Sequence, residues 1–455
     1  MGQGSSSASS SGRTRSDQLT LTPQEYAALQ DALGVGEDAP EATVSLPAFL
    51  GRFPPHLRPL VQPLFFRLSR EPGGRANRWR ARRSSECERM VGALGGASPS
   101  CPSLSQPQDD DEEPCAPWHH IVAGVSCFVR SGASWPVLLE AWVGDADSDP
   151  CAGARAEAAA ELAATLCFWC AHPSLAPAPG VPGGVPPSAA AAVLAGWDRD
   201  PFESVLMALR RSEGASGAKS SAEVRSRLAD HVPSLPHSVG PRLAQALLEA
   251  PPPPDCPWPK SRILDRGLAF LLRGVGNPLW TSGAWDLLYS DWRDGRAFGS
   301  FLRGVLHYRG LAVLVVRAAG RGEVLGALSD FWEEGNGSFG GSSESLLFAL
   351  WPTLQAYRAT GKCKNYTYLN SRSKRAPRGV GFGGQSGACR LWISADMEEV
   401  LVRQSDQVYA AGPLVPGVAE RMACQISHLE VWGVGGEAAR AGQLAQRSKD
   451  PSVAT

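Results

Sequence analysis

Two apolar runs decide the fold of this chain: Leu311-Ala312-Val313-Leu314-Val315-Val316 and, after Gly320-Arg321-Gly322, Val324-Leu325-Gly326-Ala327-Leu328. Both runs are too short for a helix, and the first is rich in β-branched residues. Glycines between two such runs are typical of a tight turn. The pattern therefore predicts a β-hairpin.

Further strand-like segments follow toward the C-terminus, each separated from the next by a glycine-rich or polar connector. They are Ser345 to Leu350, Gln355 to Ala359, Tyr366 to Leu369, Arg390 to Ser394 and Leu429 to Val434. One helix precedes the hairpin, because Phe298, Phe301, Leu302, Val305 and Leu306 recur at helical spacing. Many short strands with one clear helix predict an α+β fold whose C-terminal part is an antiparallel β-sandwich with flanking helices.

The same region resembles the TLDc domain family, and we place a TLDc-like domain at residues 280–436. The resemblance is carried by Leu287-Leu288-Tyr289-Ser290, Gly326, Gly341 to Phe348, Thr360-Gly361, Gly379 to Gly384, Leu391-Trp392-Ile393 and Leu429 to Gly433. Its motif residues in this chain are Glu344, Gly381, Gly383, Gly384, Trp392, Glu430 and Trp432. The sequence departs from the family pattern at Ser343, where glycine is usual, and between Leu401 and Gly417.

The resemblance implies a non-enzymatic adaptor without a cofactor. It is strongest for a branch of the family whose members are N-myristoylated, associate with the mTOR pathway and lie at lysosomes. TLDc domains are similarly known to bind the vacuolar proton pump. The implied location is cytoplasmic and peripheral on the lysosomal membrane, and the implied partners are mTOR pathway proteins, pump subunits and the membrane itself.

The N-terminus predicts a lipid anchor. Met1-Gly2-Gln3-Gly4-Ser5-Ser6 fits the myristoylation pattern, in which Gly2 becomes the acylated residue. One myristoyl chain gives only marginal membrane binding, so a second membrane-binding signal is needed. Arg13 and Arg15 are a weak candidate for that signal. We therefore assign residues 1–20 to a flexible myristoylated tail.

The chain between this tail and the sandwich is divided by composition. Thr22-Pro23-Gln24-Glu25 forms a capping box that starts a helix, so residues 21–69 are predicted to be an EF-hand-like helix pair, without a calcium-binding set of carboxylates. Seven arginines in 70–89 and an acidic run at 109–113 make residues 70–116 a charged disordered linker. We predict a helical domain at 117–250, a Pro-rich linker with a connecting helix at 251–279, and a polar tail at 437–455.

Charge is nearly balanced over the whole chain but one-sided in one region. The formal net charge of -1 disfavours bulk nucleic-acid binding, and we expect no nucleic-acid partner. Between Glu344 and Asp396, however, the sequence has no acidic residue. Six basic residues there are candidates for an anionic docking surface: Lys362, Lys364, Arg372, Lys374, Arg375 and Arg378. An acidic protein and anionic lipid headgroups are the expected ligands, and binding of a phosphoinositide or RNA stays open as an alternative.

Several residues imitate catalytic or metal-binding motifs. Asp145, Asp147 and Asp149 begin like a calcium loop but continue with proline where glycine is needed. Glu344 has no histidine placed beside it by sequence, so we predict a structural carboxylate that bonds its own loop. The glycines from Gly379 to Gly384 precede a strand and not a helix, which predicts tight turns between strands.

The alternative function is oxidative-stress protection by a reactive thiol. The candidates are Cys363, Cys389 and Cys424, of which Cys363 lies between two lysines that would favour its thiolate.

Overall fold

A computed structural model describes residues 21–36, 42–68, 114–143, 152–172, 201–210, 220–252, 260–276, 285–320, 322–330, 332–415, 417 and 420–448. Gly2, the linker from residue 70 to 113, the three aspartates at 145–149 and residues 449–455 lie outside these ranges. The chain divides into two compact units. The first comprises residues 1–144, 169–176 and 236–254, and the second comprises 145–168, 177–235 and 255–455.

The first unit is helical. Its elements are α1 (Pro23–Leu33), β1 (Thr43–Ser45), α2 (Leu46–Gly51), α3 (Arg58–Leu68), β2 (Cys115–Pro117), α4 (Trp118–Ser131), α5 (Trp135–Val143) and α9 (Val239–Leu247). The predicted capping box is present, because the Glu25 amide donates to Thr22 Oγ1 at 3.2 Å and the Thr22 amide donates to Glu25 Oε2 at 2.7 Å. Helix α1 ends at Gly34, whose φ is 68°.

A short antiparallel pair of strands brings together the residues before and after the predicted charged linker. Strand β1 pairs with β2, with Val44 opposite Ala116. The segment 21–69 and helices α4 and α5 therefore lie in one unit, whereas the sequence analysis placed them in two domains. Helical periodicity shows which face of a helix is buried but not which element covers that face, so the sequence held no signal for this pairing. Tyr26 is 37% exposed, and its hydroxyl accepts a hydrogen bond from Trp118 Nε1.

The second unit contains an 11-stranded antiparallel sheet that folds into two layers. The strands are β3 (Asp286–Ser290), β4 (Ala312–Ala318), β5 (Val324–Ser329), β6 (Phe339–Gly340), β7 (Leu346–Trp351), β8 (Gln355–Arg358), β9 (Thr367–Asn370), β10 (Gly379–Phe382), β11 (Leu391–Ser394), β12 (Glu399–Arg403) and β13 (Arg421–Gly433). The strand order is β6-β9-β10-β11-β12-β13-β4-β5-β7-β8, and β3 pairs with β13.

Strand β13 connects the two layers. Its first residues pair with β12, and its last residues pair with β4 on one side and β3 on the other. One apolar core lies between the layers, to which Leu314 and Leu325 contribute from one side and Val380 and Ile393 from the other. The predicted α+β fold with a C-terminal antiparallel sandwich is therefore confirmed.

Six helices of the second unit are described in full: α7 (Pro201–Arg210), α8 (Ser221–His231), α10 (Arg266–Val275), α11 (Asp291–Asp294), α12 (Phe298–Val305) and α13 (Gly436–Arg447). Helix α6 (Ala152–Ala171) has its residues 152–168 assigned to this unit. Helices α7 and α10 pack on β7, and the Leu354 amide donates to Ser204 O at 3.0 Å. The predicted helical domain at 117–250 is thus divided between the two units, since α7 and α8 cover the sheet.

The hairpin predicted from residues 311–328 is β4–β5, with Leu314 opposite Ala327. Gly326 is needed in β5 because a Cβ there would lie 1.9 Å from Leu314 O. One prediction for the glycines is wrong: Gly379 to Phe382 is strand β10 and not a turn. Gly383 and Gly384, with φ of 69° and 73°, do form the turn that follows it.

Candidate functional site

Four of the six predicted docking cations lie in one loop between β9 and β10, residues 371–378, which we call the basic loop. Arg372, Lys374, Arg375 and Arg378 are all exposed. The loop is held from below by Asn370, which is fully buried. Its Nδ2 donates to the carbonyl oxygens of residues 373, 376 and 377 at 3.0–3.2 Å, and its Oδ1 accepts from the Ser373 amide at 3.0 Å.

These bonds give the basic loop a defined shape. Tyr368 adds a fifth bond, since its hydroxyl donates to Pro377 O at 2.7 Å. One acidic residue is close: Glu334 accepts hydrogen bonds from the amide and hydroxyl of Ser371. The cations are therefore displayed on a rigid support, which lowers the entropy cost of binding an anionic ligand.

Lys362 and Lys364 do not belong to the same surface. They are exposed, but they precede β9, whereas the basic loop follows it. In the β9–β10 hairpin Thr367 pairs with Phe382 and Asn370 pairs with Gly379, so the two lysines and the loop lie at opposite ends. The sequence could not show this, because one-dimensional charge counting does not distinguish the two ends of a strand.

The glycine at position 381 makes room for Trp392. A Cβ on Gly381 would lie 2.7 Å from Trp392 Cε3 and 2.5 Å from Cys389 Sγ. The two residues are register partners on β10 and β11. Trp392 is half-buried and packs against Tyr368, with ring centroids 5.6 Å apart.

Gly383 is needed for a different reason, which involves an arginine that the sequence analysis did not select. A Cβ on Gly383 would lie 2.1 Å from Asp406 Oδ2. Asp406 faces Arg390, whose side chain is fully buried and whose Nη1 lies 3.4 Å from Asp406 Oδ1. Arg390 Nη1 also donates to Ala410 O at 2.6 Å, and Nη2 donates to Gly412 O.

The guanidinium of Arg390 lies over the Tyr357 ring, 4.3 Å from its centroid. Burial lowers the pKa of Arg390, while the nearby Asp406 carboxylate opposes the shift. Since an arginine stays charged in proteins, this is a buried ion pair that holds the segment 404–413 against the sheet. No sequence signal marked it, because a single arginine beside a strand usually lies on the surface.

Glu430 is the centre of a second buried network. Its Oε1 accepts from the Arg262 amide at 2.9 Å and Trp292 Nε1 at 3.1 Å, and its Oε2 accepts from Ser261 Oγ and Trp432 Nε1. The carboxylate is fully buried. Glu430 and Trp432 therefore act together as a structural pair that fastens residues 261–264 to β13.

Glu344 differs from its prediction. The residue is exposed, and its amide, not its carboxylate, bonds the loop by donating to Ser342 Oγ at 3.2 Å. Its negative charge instead acts on Arg358. Burial lowers the pKa of Arg358, and the charges of Asp230 and Glu344 oppose this shift. The prediction of a carboxylate that bonds its own loop is thus wrong.

The three candidate thiols differ in exposure. Burial raises the pKa of Cys389 to about 12, so this thiol is protonated at neutral pH. Cys363 and Cys424 are half-buried and pack against the core. Within the described ranges, no three His, Cys, Asp or Glu side chains come together in a geometry that could hold a metal ion. No helix in that part of the chain is long and apolar enough to span a membrane.

An open groove of about 730 Å³ lies beside β8, the last strand of the sheet. It is lined by Asp230, His231, residues 355–358, Gln404 and residues 410–413. The Ala356 amide, on the open edge of β8, donates to His231 Nδ1 at 3.1 Å. Since an exposed sheet edge is a site of unwanted pairing, His231 and helix α8 protect this edge.

Acidification is expected to weaken this bond. Burial lowers the pKa of His231 below its ordinary value of 6.5; Arg227 and Arg358 add to the shift, and Asp230 opposes it. The imidazole of His231 thus binds a proton at higher pH in the unfolded chain than in the folded chain. Its contribution to stability is fully present above pH 6.5 and is lost as the pH falls toward the folded-state pKa. Protonated imidazole also has no lone pair to accept the Ala356 bond.

We expect the Ala356 amide to exchange with deuterium faster at pH 5.5 than at pH 7.5, after correction for intrinsic rates. A His231→Gln variant should lose this dependence on pH, whereas the exposed His119→Gln should retain it. Equal protection of Ala356 at both pH values in the parent chain would contradict the assignment.

Comparison with known proteins shows what part of this chain is similar to. Residues 260–435 match the TLDc domain. The match starts before the predicted boundary at residue 280, in agreement with the bonds between residues 261–262 and Glu430. The chain is 31% identical to the mTOR-associated protein MEAK7 of Danio rerio over 204 residues, 43% of this chain and 44% of the relative.

Two further relatives of the same name show weaker similarity. The protein of Gallus gallus is 26% identical over 151 residues, 33% of this chain and 31% of the relative. The protein of Xenopus laevis is 29% identical over 153 residues, 33% of this chain and 32% of the relative. The matched region thus spans less than half the length of these curated relatives.

Proposed function

We propose that this protein is a non-enzymatic, lipid-anchored adaptor at the lysosomal membrane that supports mTOR-linked signalling. The premise is that residues 260–435 match the TLDc domain. The relatives it resembles are named as mTOR-associated. The proposed partners are mTOR pathway proteins and subunits of the vacuolar proton pump.

One observation carries the adaptor role. The buried charged groups at the motif positions and beside them, Glu430 and the Arg390–Asp406 pair, are bonded to the protein itself. The cations of the basic loop, in contrast, are exposed on a support fixed by Asn370. A domain arranged in this way can bind an anionic surface, and its buried groups serve the fold.

Membrane attachment would raise the local concentration of the domain near its partner. A partner that binds too weakly to be captured from bulk solution becomes occupied when both molecules share a membrane surface. The fit of Met1 to Ser6 to the myristoylation pattern supports this step.

Replacement of the acceptor glycine tests the anchor. We expect Gly2→Ala to lower the fraction of the chain that sediments with lysosomal membranes by about tenfold, because a myristoyl chain contributes roughly 10⁴ M⁻¹ of membrane binding. Gly4→Ala is the matched control, since it makes the same change two residues away and keeps the acceptor. If Gly2→Ala remains on the membranes as well as Gly4→Ala, the lipid-anchored part of the proposal fails.

The alternative, protection by a reactive thiol, is favoured only by the two lysines that flank Cys363, both of which are exposed. Cys389 is a poor nucleophile because burial raises its pKa to about 12. Peroxide-dependent labelling of the purified chain separates the two functions: a fast-reacting Cys363 supports the thiol function, and uniformly slow labelling supports the adaptor.

A further inference from the structure

A row of apolar side chains crosses the outer face of one sheet layer. The register pairs Phe339 with Tyr368, Tyr368 with Gly381, Gly381 with Trp392, and Trp392 with Leu401. We call these five residues the outer row. Their chain neighbours Leu369, Val380, Ile393 and Val400 belong to the core, and side chains alternate along a strand, so the outer row points away from the core.

The outer row is continuous; three of its residues are partly accessible, and Tyr368 between them is fully buried. The Phe339 and Tyr368 rings are 5.2 Å apart, and the Tyr368 and Trp392 rings are 5.6 Å apart. Phe339, Trp392 and Leu401 are half-buried, and Gly381 has no side chain that would cover Trp392. An apolar ligand side chain could therefore pack on the Trp392 ring.

The basic loop borders one side of this row. Tyr368 bonds to Pro377 in the loop, and a Cβ on Gly379, the residue after Arg378, would lie 2.8 Å from Trp392 Cζ2. The cations of the loop and the indole of Trp392 therefore belong to one continuous surface.

Two more arginines border the other side. Arg403 is two residues from Leu401 on the same face, and it lies directly opposite Arg421 in the register of β12 and β13. Like charges that face each other across two strands destabilise a sheet. A bound anion would remove that cost, so this pair points to a ligand independently of the basic loop.

Two carboxylates beside this surface are hydrogen-bonded to neighbouring residues. Glu399, on the strand beside Trp392, accepts a hydrogen bond from Gln425 at 2.7 Å. Glu334 is bonded to Ser371. The surface thus has an apolar centre and cations on both sides.

We infer that the outer row, the basic loop and the Arg403–Arg421 pair bind an extended acidic peptide with one large apolar residue between its acidic ends. The inference rests on the proposed docking function and specifies the ligand. The apolar residue packs on Trp392, one acidic end binds the basic loop, and the other binds Arg403 and Arg421.

The spacing of the surface sets the spacing of the ligand. Gly379, beside the loop, and Gly383, level with Arg403, are four residues apart on one extended chain, which is about 13 Å at ~3.3 Å per residue. An extended peptide covers the same distance in four residues, with alternate side chains on one face. Acidic residues two positions before and two positions after the apolar residue therefore reach both sets of cations.

The structure favours a peptide over a membrane surface. The basic loop, residues Ser371 to Arg378, contains no large apolar side chain that could insert into a bilayer. The apolar surface lies instead on a sheet face between two cationic borders. Arginine in a fixed position also suits the planar geometry of a carboxylate, which it binds by two parallel hydrogen bonds.

The test uses the full chain and two fluorescein-labelled peptides, Glu-Glu-Ser-Leu-Ser-Glu-Glu and the same peptide with serine in place of leucine. Fluorescence anisotropy at 100 mM NaCl, an experimental choice of about the physiological range, gives both dissociation constants. We expect the leucine peptide to bind about tenfold more tightly, since a leucine buried on an aromatic ring contributes of that order.

Paired charge variants locate the site. Arg375→Ser with Arg378→Ser should weaken the leucine peptide by about tenfold or more, as should Arg403→Ser with Arg421→Ser, because each removes one cationic border. Lys260→Ser with Arg303→Ser is the matched control: it removes the same charge from two exposed positions outside β6 and β9–β12, which carry the outer row, and should change binding less than about twofold.

Three results would overturn the inference: equal binding of the two peptides, equal weakening by the Lys260 and Arg303 control, or binding to vesicles of phosphatidylcholine with a phosphoinositide in place of the peptides. The last result would assign the surface to a membrane. These outcomes are independent of the sedimentation of Gly2→Ala, so a failure of this inference can be told apart from a failure of the lipid-anchored adaptor.

Discussion

Glu430→Gln is expected to lower the free energy of unfolding of the second unit by about 2–4 kcal/mol. The four donors around the carboxylate are Ser261 Oγ, the Arg262 amide, Trp292 Nε1 and Trp432 Nε1. Glutamine supplies one acceptor oxygen and one NH₂ group, so two of these donors face another donor. Each buried donor left unpaired costs roughly 1–3 kcal/mol.

Ser261 cannot compensate by rotating its hydroxyl to accept from the new amide. Its Oγ already accepts from the Ile263 amide at 2.9 Å and the Leu264 amide at 2.7 Å. The loss should therefore spread to residues 261–264, which connect to α10. Trp292 adds a reporter, because its ring is 38% exposed and lies 5.0 Å from the Arg262 guanidinium.

Urea unfolding of the full chain, followed by hydrogen exchange at Arg262 and Leu264, measures this effect separately from the first unit. The control is Glu398→Gln, which removes an exposed carboxylate and should change stability by less than about 0.5 kcal/mol. If the two variants unfold at the same urea concentration and Arg262 stays protected, Glu430 does not fasten this segment.

The sequence predicted the elements whose pattern is local. The hairpin β4–β5 follows from two short apolar runs and the glycines between them, and the start of α1 follows from Thr22 and Glu25. Strand β10 was missed because glycine has low strand propensity. Gly381 occupies its position because a side chain there would collide with Trp392 on the neighbouring strand. Tertiary contact overrode local preference at that position.

The candidate site was predicted in part. The four cations of the basic loop were found by counting charge, but the support from Asn370 and the separation of Lys362 and Lys364 needed the register of β9 and β10. Arg403 and Arg421 are 18 positions apart in the chain by their numbers and meet only through strand pairing. Arg390 was missed because burial of an arginine depends on acceptors that the fold assembles from distant segments.

Arg390→Ala is expected to lower the free energy of unfolding of the second unit by about 3–5 kcal/mol, because it leaves the Asp406 carboxylate buried without its cation. The Asp406 side chain is 4% exposed. The substitution also leaves the carbonyl oxygens of Ala410 and Gly412 without their donors and removes the packing against Tyr357. The control is Arg375→Ala at an exposed position of the basic loop, which should change stability by less than about 0.5 kcal/mol.

Arg390→Ala should open hydrogen bonds locally at a lower free-energy cost than it unfolds the whole unit, because the segment held by Arg390 pairs with the end of β8. The Ala410 amide donates to Arg358 O at 2.9 Å, and the Thr360 amide donates to Val408 O at 2.8 Å. In Arg390→Ala, exchange at residues 360 and 410 should accelerate, while the central hairpin β4–β5 keeps its protection under native conditions.

A double-mutant cycle with Asp406→Ala separates the ion pair from the rest of the Arg390 contacts. Removing both charges should cost less than the sum of the two single changes by about 1–3 kcal/mol, because the double variant leaves no unpaired buried charge. Asp406 Oδ1 also accepts from the Tyr409 amide at 3.0 Å, so the double variant should not recover full stability. Strict additivity of the two single effects would show that the guanidinium acts only through its bonds to residues 410 and 412.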